Sequence, residues 1–239
     1  MKNLIIIPTY NEAESLPTLL SALWVHLSQS GSTSHTVEVL VVDDGSPDGT
    51  GQIAERLAAT EKRLHVLHRE KKQGLGPAYI AGFQWGLRQG FDRLIEMDAD
   101  FSHHPRYLPR MLELLGSFDF VIGSRYVPGG GTVNWGWVRK LISRGGSLYS
   151  RGILGVPIRD FTGGFNGWNR RVLEALDLGS LSSDGYSFQI ELKYRSVKKG
   201  FHFTEFPIVF EDRKVGRSKM NQRIVFEALA RVWEFRFGS

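Results

Sequence analysis

The chain has 239 residues, 41% apolar and 23% charged, a balance that excludes a disordered or fibrous protein. Lys and Arg number 30 against 25 Asp and Glu, and the formal charge of +5 suits a phosphate-bearing substrate or an anionic membrane surface. There is no cysteine, which excludes disulfides and thiolate metal sites, and no apolar run is long enough to span a bilayer.

Met1-Lys2-Asn3 leads into strand-like sequence without a signal-peptide pattern, so a soluble or peripheral, cytoplasmic protein is expected. No basic run or nucleic-acid motif accompanies the charge, and nucleic acid is not an expected partner. Leu4-Ile5-Ile6-Ile7 is a continuous apolar run, the pattern of a strand buried on both faces, ended by Pro8-Thr9-Tyr10-Asn11-Glu12. Ser15 is placed to cap a helix carrying Pro17 in its first turn and a stripe of Leu16, Leu19, Leu20, Leu23 and Leu27. After a polar loop, Val37 to Val42 reads as a second buried strand, closed by the turn formers Asp43-Asp44-Gly45-Ser46-Pro47-Asp48-Gly49-Thr50. A helix through Ile53, Leu57 and Ala58 precedes a third strand, Leu64 to Leu67. The Gly74 and Gly76 loop leads into a helix over Ala78 to Arg88, and Arg93 to Met97 forms a fourth strand. A helix from about Arg106 to Leu115 and a strand from Phe118 to Ile122 complete the alternation.

Strand–helix alternation implies an α/β protein with a doubly wound, mostly parallel sheet and helices on both faces. In such sheets ligands bind beyond the carboxyl ends of the strands. Pro8–Glu12, Asp43–Asp48, Asp98–Ser102 and Ser124-Arg125 all follow strand ends, so these four clusters are expected on one rim. No Gly-x-Gly-x-x-Gly follows the first strand and no Gly-Lys-Ser/Thr occurs, which removes the main support for a dinucleotide binder or a P-loop.

The third cluster carries the most chemistry. In an extended chain alternate residues face one side, so Asp98 and Asp100 aim at one point if the strand geometry persists past Met97. Two hard oxygen ligands suit Mg²⁺ or Mn²⁺, which also bind substrate phosphates. Taken alone, so short a pattern more often marks two solvated turn aspartates.

After Arg125 the character changes. Gly129-Gly130-Gly131 reads as a flexible hinge. Trp135 to Gly155 mixes aromatic and aliphatic residues with Arg139, Lys140, Arg144 and Arg151, the composition of a membrane-surface helix or of a core helix with a basic outer face. Asp160 to Phe165 is a Gly-rich turn into a short strand, Phe188 to Lys199 a helix, and Phe201 to Phe210 a strand or edge segment. A last helix, from about Met220, has a narrow polar stripe at Arg223, Glu227, Arg231 and Glu234 and is otherwise so apolar that it needs a cover, with lipid or a partner subunit favoured over the domain itself.

Five segments, in order, carry a family resemblance: Ile6 to Glu12, Val42 to Thr50, Glu96 to Asp100, Gly123-Ser124-Arg125-Tyr126, and Phe210-Glu211-Asp212-Arg213 with Gly216-Arg217-Ser218-Lys219. From Ile5 to about Lys219 the chain resembles the polyprenol-phosphate (dolichol-phosphate) mannose synthases, family 2 glycosyltransferases of the GT-A fold. The resemblance implies a catalytic domain over 1–219, with a nucleotide-sugar half to about 125 and an acceptor half beyond it, and a C-terminal amphipathic helix over 220–239. It implies transfer of mannose from GDP-mannose to a polyprenyl or dolichyl phosphate, with inversion and a Mg²⁺ or Mn²⁺ ion, by an enzyme peripheral on the cytoplasmic face of a membrane. Carried over by position, Pro8, Tyr10, Glu12, Val41 and Asp43 hold the nucleotide. Asp98, Ala99 and Asp100 hold the diphosphate, with Asp98 and Asp100 as metal ligands, and Arg213 and Lys219 clamp the donor phosphates. Arg125 and Arg139 receive the acceptor phosphate and, with Asp100, form the catalytic set.

Two departures stand out. Ser102 occupies a position where some relatives have Gln, a better metal ligand, and Asn166 follows the Gly-Phe turn where relatives often carry a cation. His103 and His104 are expected to shape the loop before Pro105 rather than to catalyse. A synthase using UDP-glucose or UDP-N-acetylglucosamine, and a non-catalytic subunit that recruits a partner to a membrane, are the competing readings.

Overall fold

A seven-stranded sheet runs through the protein, and the computed structural model describes residues 1–29, 36–181, 185–211 and 222–237 of it. Inside it runs β1 (Lys2–Thr9), paired in parallel with β2 (Thr36–Asp43) on one side and the central β4 (Arg93–Glu96) on the other. β3 (Leu64–His68) extends the sheet beyond β2. Beyond β4 comes β7 (Asn166–Asn169), antiparallel to both its neighbours, then β5 (Phe120–Ser124) and β8 (Phe203–Pro207). The order is thus β3-β2-β1-β4-β7-β5-β8, mostly parallel with one reversed strand.

The alternating side chains of β1 explain its unbroken apolar run. Leu4 and Ile6 join Tyr79 and Phe83 of α3 (Leu75–Arg88) and Trp168 on one face. Ile5 and Ile7 join Leu16, Leu19, Leu20 and Leu23 of α1 (Leu16–Gln29) and Met111 of α4 (Leu108–Leu114) on the other. A strand covered on both faces has no polar side. The remaining helices are α2 (Thr50–Ala58), α5 (Trp137–Leu154), α6 (Arg170–Ala175), α7 (Gly185–Lys198) and α8 (Gln222–Phe237). A two-stranded ribbon, β6 (Gly131–Val133) with β9 (Val209–Glu211), stands apart from the main sheet.

Several sequence expectations need correction. The Ser15 hydroxyl does not cap α1; it donates back to the Glu12 carboxylate at 2.7 Å. The fifth strand starts at Phe120, because the amides of Ser117 and Phe118 are still bound to Leu114 O after α4. The triple glycine is no free hinge. A Cβ on Gly130 would lie 2.5 Å from Ser124 O, and Gly131 begins β6 and donates its amide to Ile208 O. The domain covers part of the last helix, which packs on α5 and α7, buries Val232 and sets Phe235 against the core, while Trp233 and Phe237 stay exposed. Its Arg231 pairs with Glu234 at 2.7 Å, while the side chains of Arg223 and Glu227 lie outside the described residues.

Candidate active site

β1, β2, β4 and β5 point the same way, so the four polar clusters that follow them meet on one rim, as the alternation requires. On the β1–β2 side, Asp43 is almost fully buried at the end of its strand. Its carboxylate accepts hydrogen bonds from the Ser46 hydroxyl at 2.5 Å, the Ser46 amide at 3.2 Å and the Thr9 hydroxyl at 3.3 Å, and His68 Nδ1 stands 3.9 Å away. It therefore does serve the turn, and the turn aims it from the strand end. Asp48 staples this loop to the preceding one, accepting from the Ala13 amide at 3.1 Å and the Thr50 hydroxyl at 2.5 Å. Neighbouring Asp44, which sequence reasoning passed over, pairs with Arg69 at 2.6 Å; burial pushes its carboxyl up despite that cation. Pro8, Tyr10 and Glu12 are half-buried on the same rim, with the Lys72 ammonium 4.2 Å from the Tyr10 ring centre. Val41 lies further back along β2. Its side chain is wholly buried in the core beside Ile5 and Ile7, so only its backbone belongs to the rim.

At the end of β4 the extended chain stops at Glu96, not Met97, and Ala99-Asp100 turn instead. Alternation is therefore not what brings the two carboxylates to one locality. Phe101 adopts φ +64°, a left-handed conformation uncommon for a bulky residue, and the Asp100 carboxylate accepts the Ser102 amide at 3.0 Å. Strained backbone of this kind concentrates at functional sites. Asp98 accepts from the Tyr79 hydroxyl at 3.1 Å. Burial, and then the charges of Asp98, Glu96 and Asp100, push that phenol well above its ordinary range. His103 is buried; its Nδ1 accepts the Asp98 amide at 3.0 Å, and burial lowers its basicity, so the neutral ring acts as a strut. His104 Nδ1 accepts the Arg106 amide at the turn Pro105–Tyr107, the loop-shaping role expected of both histidines. Ala99 and Ser102 are buried, so Ala99 offers backbone, and the Ser102 hydroxyl has no hydrogen-bond partner among the described residues.

Asp98 and Asp100 are both half-exposed, and no group of three His, Cys, Asp or Glu gathers among the described residues. Two hard carboxylates at an open rim fit Mg²⁺ or Mn²⁺ completed by ligand oxygens, and fit poorly a metal that needs a closed protein cage.

Across the rim, Arg125 is buried and gripped by Asp160, with Nε 2.7 Å and Nη2 2.6 Å from the two carboxylate oxygens and Nη2 2.8 Å from the Thr162 hydroxyl. Burial opposes the Asp160 charge, but Arg125 outweighs it and holds the carboxyl below its usual value. The Arg125 guanidinium also lies 5.2–5.6 Å from the ring centres of Tyr126, Trp135 and Phe210. Arg139, half-exposed on α5, stacks 4.1 Å over Trp135. The structure thus makes Arg125 an anchored cation inside an aromatic box and leaves Arg139 nearer the surface.

Beneath both sides lies a polar layer that sequence reasoning missed. Asn166, wholly buried, donates to Glu96 at 2.6 Å and to Gln189 Oε1 at 2.8 Å, so it faces inward and its comparison with a cationic counterpart loses its point. Burial pushes Glu96 up to about 7, with Asn166, Lys193 and Gln189 acting against the rise. Glu96 receives its partners from the reversed β7, through Asn166, and from α7, through Gln189 at 3.1 Å. Arg213 and Lys219 lie outside the described residues.

Residues 4–177 match the pattern of Glycosyl transferase family 2. The chain is 50% identical over 232 residues to the Undecaprenyl-phosphate mannosyltransferase of Micrococcus luteus, covering 97% of this chain and 93% of that one. It is 48% identical over 236 residues to the Polyprenol monophosphomannose synthase of Mycolicibacterium smegmatis, covering 98% and 86%. Its fold is similar to that of glucosyl-3-phosphoglycerate synthase from Mycobacterium tuberculosis, solved with Mn²⁺, uridine diphosphate and glucosyl-3-phosphoglycerate. The TM-score is 0.67 at 19% identity, over 98% of this chain and 80% of that one. The chain belongs to glycosyl transferase family 2 and has a GT-A-like fold.

Proposed function

We propose that this enzyme transfers mannose from GDP-mannose to the phosphate of a polyprenol, with inversion at the anomeric carbon. The observation that carries the reading is the placement, on one rim, of paired half-exposed carboxylates opposite an anchored guanidinium, in a chain about half identical to two named polyprenyl-phosphate mannose transferases. Residues up to about 125 supply the donor side and those up to about 219 the acceptor side, with 220–239 as the terminal helix.

Asp43, Pro8, Tyr10 and Glu12, with the backbone of Val41 and Ala99, hold the nucleotide in this reading, and Arg213 and Lys219 close on its phosphates. Asp98 and Asp100 would hold Mg²⁺ or Mn²⁺, which offsets charge growing on the departing diphosphate. The acceptor phosphate, with a second pKa of about 6, is largely ionised at neutral pH and is its own nucleophile. No side chain need remove a proton; Arg139 and the Arg125 box orient the anion, the task for which a planar guanidinium is suited. Inversion follows from a single in-line displacement.

The acceptor is a lipid, so the enzyme must reach a membrane, in this reading its cytoplasmic face. α5 is built for that. Trp137, Leu141 and Leu148 recur on one face with 65–75% of their surface exposed, flanked by exposed Lys140, Arg144 and Arg151. Apolar residues edged by cations are the pattern of a helix lying in an anionic interface. Trp233 and Phe237 of α8, half and two-thirds exposed, continue the patch, and the Trp233 indole donates to Tyr149 of α5 at 2.7 Å. In this reading α5 and the exposed end of α8 form the anchor together; a small membrane-anchoring subunit is the alternative cover.

The test is purified protein with Mg²⁺ or Mn²⁺, a short polyprenyl phosphate and a panel of labelled nucleotide sugars. Turnover with GDP-mannose is the expected result. Turnover only with UDP-glucose or UDP-N-acetylglucosamine would reassign the donor, and none with any donor would favour a recruiting subunit.

A further inference from the structure

The two sides of the site are joined by a buried side chain with no obvious place in the chemistry. Lys193, on the inner face of α7, has no exposed surface. Its ammonium has three protons, and it donates to three backbone carbonyls: Asp160 O at 3.0 Å, Phe161 O at 3.1 Å and Gly163 O at 2.7 Å. These carbonyls outline the turn that carries Asp160, whose carboxylate also accepts the Gly163 amide at 2.9 Å. The turn has a second brace, Glu205 of β8, which accepts the amides of Arg159 and Asp160. Without Lys193 three buried carbonyls would converge on nothing, a costly arrangement.

Gln189 lies one helical turn earlier on the same face of α7. Its amide nitrogen donates to Glu96 at 3.1 Å and its oxygen accepts from Asn166 at 2.8 Å. Glu96 ends β4, two residues before Asp98, while Asn166 also reaches back to Gly163 O at 3.2 Å. One rigid turn of helix therefore touches the strand that aims Asp98 and the turn that aims Arg125.

Resting on the reading proposed above, we infer that Gln189 and Lys193 are positioning residues, a two-point bolt that sets the separation between the donor-side carboxylates and the acceptor-side guanidinium. Neither touches substrate. Each subsite keeps its own contacts if the bolt is removed, so binding of each substrate survives while their mutual approach drifts. An in-line displacement is sensitive to such drift, and a misplacement of about 1 Å can cost about 100-fold in rate. A buried ammonium saturated by carbonyls is a demanding way merely to fill space, whereas apolar packing would suffice for that.

The experiment compares Lys193→Met, Gln189→Met and the double variant with the wild type on GDP-mannose and a short polyprenyl phosphate. Rates are expressed per folded molecule, with the folded fraction taken from circular dichroism. Each single variant is expected to lose about 10- to 100-fold in kcat while both KM values move less than about threefold. The double variant should lose little more than the worse single one, because the two act as one device. Unchanged kcat in the folded variants, or a rise confined to one KM, would overturn the inference. If Lys193→Met does not fold, Gln189→Met, which leaves the carbonyl cradle filled, decides it. Wild-type inactivity on every donor would sink the functional reading and this inference together; an active wild type with fully active variants would sink the inference alone.

Discussion

Arg125 and Asp160 form a fully desolvated, two-point ion pair, with both carboxylate oxygens within 2.7 Å of guanidinium nitrogens. The 34 residues between them include all of α5, so the pair closes the chain on itself around that helix. Removing one member of such a pair leaves the other charge buried and unpaired. Asp160→Asn should therefore lower stability by about 3–5 kcal/mol in urea titrations. A change near zero would mean that the pair is open to water in solution.

Asp100→Ala should all but abolish turnover and raise the concentration of Mn²⁺ needed for what remains, since one of the two carboxylates proposed to hold the ion is lost. The check is initial rate against Mn²⁺ concentration for the variant and the wild type. Near-normal rates would remove the metal from the mechanism.

Arg139 is half-exposed, on α5, and its guanidinium stacks 4.1 Å over the Trp135 ring. Arg139→Ala is expected to raise the KM for polyprenyl phosphate by about 10-fold, the size of one charge-assisted contact, and to leave that for GDP-mannose nearly unchanged. The reverse pattern would assign Arg139 to the donor.

For the membrane, Trp137→Glu with Leu141→Glu should release the protein from anionic vesicles in sedimentation assays while leaving the fold intact, since both side chains are exposed. Deleting the chain after Arg223 should do something different. It uncovers surfaces of α5 and α7 and removes the buried Val232, so it should lower thermal stability as well as vesicle binding. Vesicle binding that survives the double Glu change would point to a protein anchor.

Lys193 sets a pH dependence whose sign can be stated. Burial lowers it from 10.5 to about 8, and the acids facing it (Asp160, Glu96, Glu205) limit the fall, while Arg125 adds to it. Between pH 8 and pH 10 the unfolded chain keeps a proton that the folded one has shed, so this group makes stability rise with pH there. The stability of wild type minus that of Lys193→Met should accordingly increase over this window, by on the order of 2 kcal/mol. Parallel curves for the two proteins would show that the ammonium is not desolvated in solution.

Strand and helix alternation, the two-faced burial of β1 and the convergence of four polar clusters were readable along the chain, because each depends on side-chain period or on the residue types that end strands. That Asp43, Asp98 and Asp100 would stand on this rim was readable for the same reason, since each follows an apolar strand run. Two kinds of information were not local. The reversal of β7 between β4 and β5 turns Asn166 from a surface candidate into a buried partner of Glu96, and no periodicity marks a strand's direction. Likewise, Asp160 and Lys193 look like ordinary surface polar residues in sequence, because a buried charge is recognisable only by partners that lie 30 or more residues away and arrive by folding. Short-range pattern decides which residues can be strand, helix or turn; which charges lose their water, and to whom, is a property of the packed whole.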